Sequence, residues 1–349
     1  MNESVLSFKD KYFGDKNFYK MTLTIAIPII IQNLLTNLVS MADNIMVGQL
    51  GTNQMSGVAI INQLFFVFNL LVFGGMSGAG LFSAQYFGQK NHNGVRDVFR
   101  MKILIGITII AISISVMIFL HEPLINMFLH EGSSSGNIQE TFNYAKNYLY
   151  IMVIGIAPFV ISNCYNTTLK ESGQTVVPMK AGVLAVVFDI VLNYIFIFGK
   201  LGFPAMGVVG AAIATVISRF VECGYLVIYT HIHSNDYPFI KHCYRTLKVP
   251  GSLVKKIIIT GAPLMLNEFL WAGGLTLQTQ ALSTRGLATV GGLNICNTIG
   301  NISNCIFVTM GTTIAIVVGQ LLGAGKLKEA KLTATRMAAF SLLISFGMI

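Results

Sequence analysis

Three carboxylates stand alone in long apolar stretches, and any chemistry of the chain has to start from them. Asp43 separates two runs, 21–42 and 44–89, that contain no Asp, Glu, Lys or Arg; Asp189 lies near the middle of the apolar run 176–199; Glu268 is the only charge in LMLNEFLWAGG. An ionisable group in hydrocarbon is costly unless it faces a cavity or a partner, so such residues mark ion and substrate pathways. Asn193 follows Asp189 at the i+4 position, on the same helical face. A carboxylate and an amide oxygen one turn apart can hold a small cation or share a proton, which makes Asp43, Asp189 and Asn193 candidates for a cation or proton site. Glu268, with Asn267 beside it, is a candidate for binding a substrate cation in exchange for a proton.

Two other groupings carry less. Arg219 and Glu222, three residues apart, are expected to form a structural ion pair on one helical face. His231, His233, His242 and Cys243 cluster in one segment, but their spacing matches no zinc pattern, and no metal is expected. The five cysteines show no CxxC spacing, and four of them lie in apolar runs, so they read as small buried residues.

These candidates must be positioned by membrane-spanning helices. Of the 349 residues, 54% are hydrophobic and only 11% charged, too few charges to cover a soluble surface. A bilayer span takes roughly 20 apolar residues. Spans are predicted near 22–48, 55–87, 102–121, 142–168, 176–199, 205–230, 257–282, 287–322 and 337–349, an all-α polytopic protein. Pro28, Pro158 and Pro263 fall within or near the inner part of spans, where proline kinks helices. The ninth run has 13 residues and is too short to cross, so the chain is expected to be cut after about nine helices and to be unstable or inactive alone. No small-residue cleavage site follows the first apolar run, and no cleavable signal peptide is expected.

The N-terminal segment and the even-numbered loops, with Lys90, Arg96, Arg100 and Lys102 counted in the loop before the third span, hold nineteen Lys and Arg residues against three, Lys146, Lys200 and Arg285, in the odd loops. By the positive-inside rule the N-terminus is cytoplasmic. Shifting the sequence by 235 residues aligns Pro28 with Pro263, Gly51 with Gly286, Asn62 with Asn297, Gln85 with Gln320 and Gly88 with Gly323. The same shift pairs Glu268 with Asn33, beside Gln32, so the first half keeps polarity there without charge; Gln32, Asn33 and Asn267 join Glu268 as candidate substrate contacts. Six spans fit in one period, and an even number makes the halves parallel repeats. The expected organisation is a six-helix lobe over 1–230, a cytoplasmic linker over 231–254 and a partial second lobe over 255–349.

The formal charge of +9 does not point to nucleic acid, because the cations sit in short loops instead of forming a stripe on a folded surface. GAGK at Gly323–Lys326 lacks the first glycine and the Ser or Thr of a phosphate loop, so ATP is not expected. HExxH is absent, and no enzymatic activity is expected.

MADNIMVGQLG around Asp43, IPIIIQNLL before it, the Gly-rich second span ending in QYFGQK, and NYIFIFGKLGFPAMGVVGAAIATVISR together resemble the multidrug and toxic compound extrusion (MATE) family. The resemblance implies twelve helices in two bundles and export of cationic, amphiphilic small molecules against inward Na⁺ or H⁺, without a cofactor, by a monomer in the cell membrane. It maps the family's first-helix acid to Asp43 and its seventh-helix acid to Glu268, with Thr215 a weaker candidate ligand. One departure is specific: many members place Asn before Asp in the fifth helix, and here Asp189 comes before Asn193. The competing reading is a lipid-linked oligosaccharide flippase of related architecture, which would need several cations in its cavity for a pyrophosphate.

Overall fold

The structure is a computed structural model describing residues 8–129, 137–283 and 287–347. All regular structure among them is helical: α1 Phe8–Tyr12, α2 Lys16–Gly48, α3 Thr52–Gly88, α4 His92–Phe119, α5 His121–Asn126, α6 Ile138–Ile154, α7 Ile156–Glu171, α8 Val176–Phe198, α9 Val208–Ile232, α10 Gly251–Ser283, α11 Leu287–Gly323 and α12 Leu327–Gly347. Helices satisfy every internal backbone group without water, which hydrocarbon demands, and side chains complete several ends. Asp15 accepts from Phe18 N at 2.9 Å to start α2, Asn91 from Gly94 N at 2.9 Å to start α4, and Asn137 from Gln139 N at 3.0 Å to start α6. Large apolar side chains on outward faces, among them Phe73, Ile112 and Ile228, stay exposed, as a lipid-facing surface requires.

Among the described residues six helices are long and apolar enough to cross a membrane, and a bent pair would make a seventh. That pair is α6 and α7, which divide the predicted single span 142–168 with a bend of 46°. The cause is local: Pro158 has no N–H to donate to Ile154, and the helix breaks at Gly155. Pro28 and Pro263 lie inside continuous helices. Two of the predicted spans, now α10 and α12, fall outside the set that passes on length and hydropathy. Asn267 and Glu268 interrupt the apolar run of α10, and Lys328, Glu329, Lys331 and Arg336 occupy the first half of α12.

The loop predicted before the third span is helix from His92 onward, which corrects the placement of Arg96, Arg100 and Lys102. Lys102 has no exposed surface; its ammonium donates to Glu171 Oε2 at 2.6 Å, Thr167 Oγ1 at 3.0 Å and Thr168 Oγ1 at 3.2 Å. Three oxygens from one turn of α7 offset the desolvation of the cation. Arg96 and Arg100 bond the carbonyls of Pro238, Phe239, His242 and Cys243, and so clamp the 231–254 segment onto α4. That segment is packed, with Phe239, Ile240 and Cys243 buried and two 3₁₀ turns at Pro238–Ile240 and Cys243–Arg245.

α2 to α9 enclose the main apolar core, and α10 and α11 pack on α3, with α11 also against α2. The repeat read from the 235-residue shift appears as a reciprocal contact. A Cβ on Gly88 would collide with the Gln320 backbone, and one on Gly323 with the Gln85 backbone, so only glycine permits this approach of α3 and α11. Each contact is the other's image under the shift. Arg285, Gly286 and the side chains of Lys9, Gly292, Ile295, Cys296 and Asn297 lie outside the described residues.

Candidate functional site: two carboxyls around one amide

α2 carries Asp43, α8 carries Asp189 and Asn193, and the close packing of these two helices brings all three together. Asn193 Nδ2 donates to Asp43 Oδ1 at 2.7 Å and to Asp189 Oδ2 at 3.1 Å. One amide nitrogen therefore holds a carboxyl on each of its two hydrogens. The Ser218 hydroxyl on α9 lies 3.0 Å from Asp189 Oδ1 and 2.8 Å from the Thr215 carbonyl and is shared between them. Asp189 and Asn193 are buried at 3% and 0% exposure, whereas Asp43 is half-buried. The Asn193 Oδ1 atom is buried with no hydrogen-bond donor among the described residues.

The order Asp189 then Asn193 thus puts the amide, not the acid, against Asp43. Two carboxyls clustered on one donor set can hold a single positive charge, a proton or a hard cation, whose oxygen ligands would be the carboxyls and the orphaned Asn193 carbonyl. Asp43 opens from this cluster into a cavity of about 360 Å³, walled by Phe65, Phe66, Met152, Asn62, Asn69 and Tyr148 among others, with Arg219 also in its lining.

Arg219 corrects one expectation. Among the described residues no carboxylate oxygen lies within 4.0 Å of its guanidinium, so the ion pair with Glu222 is not formed. The guanidinium is instead held between the rings of Phe65 and Phe159, its carbon 5.4 and 5.0 Å from their centroids, with one long bond to the Gly155 carbonyl at 3.5 Å. A planar, weakly hydrated cation gains from aromatic faces.

The other candidates stand apart from this cavity. Asn33 donates to Thr309 Oγ1 of α11 at 3.0 Å, and Gln32 is buried beside Gly182 of α8. Glu268 is half-buried and Asn267 exposed on α10, and neither lines the cavity. Among the described residues no group of three His, Cys, Asp or Glu is placed to hold a metal. Ser218 and Tyr148 were missed at sequence level: a serine directly before Arg219 and a tyrosine in an uncharged stretch give no signal until α6, α8 and α9 are assembled.

The model of the MatE family matches residues 28–195 and 263–349, which include Asp43, Asp189 and Asn193. The chain belongs to the MatE family. Among curated MatE relatives, the probable multidrug resistance protein NorM of Thermotoga maritima is 29% identical over 306 residues, 88% of this chain, and that of Halalkalibacterium halodurans is 28% identical over 93% of it. The chain spans 64% and 69% of the length of these two relatives. Among solved structures, a MATE protein in its straight conformation superposes with a TM-score of 0.81 at 22% identity, over 97% of this chain and 72% of that one. An outward-facing multidrug resistance MATE family transporter of the MOP superfamily gives 0.80 at 23%, over 96% and 70%. At such identities the likeness establishes the MatE fold.

Proposed function

We propose that this chain forms part of a secondary active antiporter that exports cationic, amphiphilic small molecules against inward Na⁺ or H⁺. The observation that carries this reading is the pair of carboxyls on the Asn193 amide, buried between α2 and α8 and opening through Asp43 into a cavity of drug-binding size. In this reading the coupling ion is taken up by Asp43, Asp189 and Asn193 Oδ1. Its arrival neutralises Asp43 and weakens the hold on a substrate cation in the cavity, so that the two are bound by turns. Each charge carried inward gains about 2.3 kcal/mol per 100 mV of membrane potential. The protein acts as a monomer in the cell membrane with the end carrying Lys90, Arg96 and Arg100 in the cytoplasm, and has no enzymatic activity. Glu268 and Asn267, with Gln32 and Asn33 at the equivalent place in the first repeat, contribute a second, separate contact with substrate.

The flippase reading needs several cations facing the lumen, and among the described residues Arg219 is the single Lys or Arg lining the cavity. Everted vesicles loaded with a cationic dye test the proposal under a Na⁺ gradient or a pH gradient imposed separately. Asp43→Asn and Asp189→Asn are expected to abolish gradient-driven dye movement and Glu268→Gln to reduce it. Undiminished movement in both aspartate variants would remove the site from the mechanism.

A further inference from the structure

A second cavity, of about 210 Å³, shares no residue with the one at the carboxyl cluster. It is a groove between α4, α7 and α9 with apolar walls, among them Ile107, Ile110, Val160, Ile161 and Val227. Pockets that hold drug-sized molecules start at roughly 300 Å³, and this one is smaller. Its flank is open, because Ile107 and Ile161 are 51% and 40% exposed. Tyr244 of the 231–254 segment completes the lining, with its hydroxyl bonded to that of Tyr165 and its ring stacked on His231 at 5.8 Å. Arg96 and Arg100 clamp that segment to the first turns of α4, so Tyr244 meets the groove at the end where α4 begins. Ile110 lies ten residues beyond Arg100, about 15 Å of helical rise. Half the hydrocarbon thickness of a bilayer is also about 15 Å, so the groove has the depth of one leaflet.

The chain is basic at the same end. From Tyr237 to Asn267 it contains Lys241, Arg245, Lys248, Lys255 and Lys256 and no acid. All five are exposed, and among the described residues none has a carboxylate within 4.0 Å. Arg245 follows Tyr244 in one 3₁₀ turn, and Lys241 precedes Tyr244 by three residues. We propose that this groove is a site for an anionic phospholipid, with one acyl chain along Ile107, Ile110, Ile161 and Val227 and the phosphate on Arg245 and Lys241. Inside a membrane the chain gains from packing, because filling the groove restores contacts that a void forfeits. The headgroup supplies selection: a guanidinium takes a phosphate through two charge-assisted bonds, and Lys and Arg clustered at a helix end draw acidic lipids. A phosphatidylcholine fits the groove equally well but brings its own cation to the basic turn. The proposal takes nothing from the transport cycle.

Brominated acyl chains quench tryptophan on contact, and the chain has one tryptophan, Trp271. In a Trp271→Phe background, Ile107→Trp places a reporter on the groove wall, and Ile112→Trp places one on the same helix outside the groove; both positions are exposed. Each full-length variant in phosphatidylcholine nanodiscs is titrated with brominated phosphatidylglycerol or with brominated phosphatidylcholine. For Ile107→Trp, half-maximal quenching is expected at an about fivefold lower mole fraction of the glycerol lipid, the effect of about one basic contact at a membrane surface. For Ile112→Trp the two lipids are expected to quench alike. Arg245→Gln is expected to erase the preference, whereas Lys255→Gln with Lys256→Gln, which removes two charges from the start of α10, is expected to leave it within about twofold. Equal quenching by the two lipids at Ile107→Trp would overturn the proposal. So would the same preference at Ile112→Trp, which would mean general accumulation of acidic lipid, or a preference that survives Arg245→Gln. Native mass spectrometry of the unaltered chain gives a reading without substitution: one phosphatidylglycerol retained over phosphatidylcholine supports the site, and equal retention refutes it. Both nanodisc leaflets carry the same lipids, so binding is read whichever way the chain faces and stands or falls apart from the export reading.

Discussion

Gly88 meets the backbone of Gln320 with no space for a side chain between them, and the residues equivalent to both by the 235-residue shift, Gly323 and Gln85, meet in the same way. The two contacts are thus exchanged by one shift of the sequence. The expected consequence is that Gly88→Val and Gly323→Val lower the thermal midpoint by similar amounts. Gly273→Val, at a position with nothing within 4 Å of an added Cβ, leaves the midpoint unchanged. Scanning fluorimetry in detergent checks all three; a large inequality between the first two would mean that the contacts are not equivalent.

The Asn193 amide holds two carboxyls, so its removal acts on both. Asn193→Ala takes away the donor to Asp43 and to Asp189 together and leaves buried acceptors unpaired, at a cost of about 1–3 kcal/mol. Gradient-driven transport is expected to be lost along with this stability, and Asn193→Asp, nearly the same in shape, is expected to destabilise through like-charge crowding of a third carboxyl against Asp43 and Asp189. Unfolding midpoints and vesicle flux, measured side by side, decide whether the amide organises the site.

Lys102 and Glu171 form an ion pair with the cation fully buried. Lys102→Ala strands Glu171 and is expected to cost about 3–5 kcal/mol, the penalty of breaking a buried pair from one side. Replacing both residues with apolar ones of similar volume is expected to recover much of that loss. A double-mutant cycle by thermal unfolding tests it, and simple additivity of the two single changes would contradict the pairing.

Cys243 is fully buried, and burial raises its thiol pKa. Slow alkylation by iodoacetamide at neutral pH is the expected result. Arg100→Ala removes the bonds from Arg100 to the Cys243 and His242 carbonyls and loosens the 231–254 segment, so alkylation should accelerate. Loss of the neighbouring positive charge acts in the opposite direction on the thiol, so a faster reaction reports exposure. Peptide mapping of the labelled cysteine distinguishes Cys243 from the others.

Much of this was legible in the residue order. Hydrophobic runs located the helices, and the lone acids Asp43 and Asp189 pointed to the candidate site because hydrocarbon leaves so few other reasons for a charge. That the two acids meet depends on α2 packing against α8, a contact 150 residues apart in the chain that no local pattern encodes. Lys102 was misplaced for the same reason: beside Arg96 and Arg100 it reads as a loop cation, and its partner Glu171 lies on another helix. The ion pair between Arg219 and Glu222 was expected from spacing alone, and the rings of Phe65 and Phe159 compete for the guanidinium from two other helices. The break at Gly155 was foreshadowed by Pro158, with its position set by the carbonyl that the proline leaves without a donor.

Glu171 ends α7 with both of its polar ends engaged: its side chain neutralises Lys102 of the same repeat, and its main-chain carbonyl accepts the Gln320 amide of the other at 2.8 Å. This division sets an order of events for any parting of α3 and α11 at that end. The bond that must break is the one between two uncharged groups, while the charged pair travels intact with its own half. No bare ion is then presented to the lipid on the way.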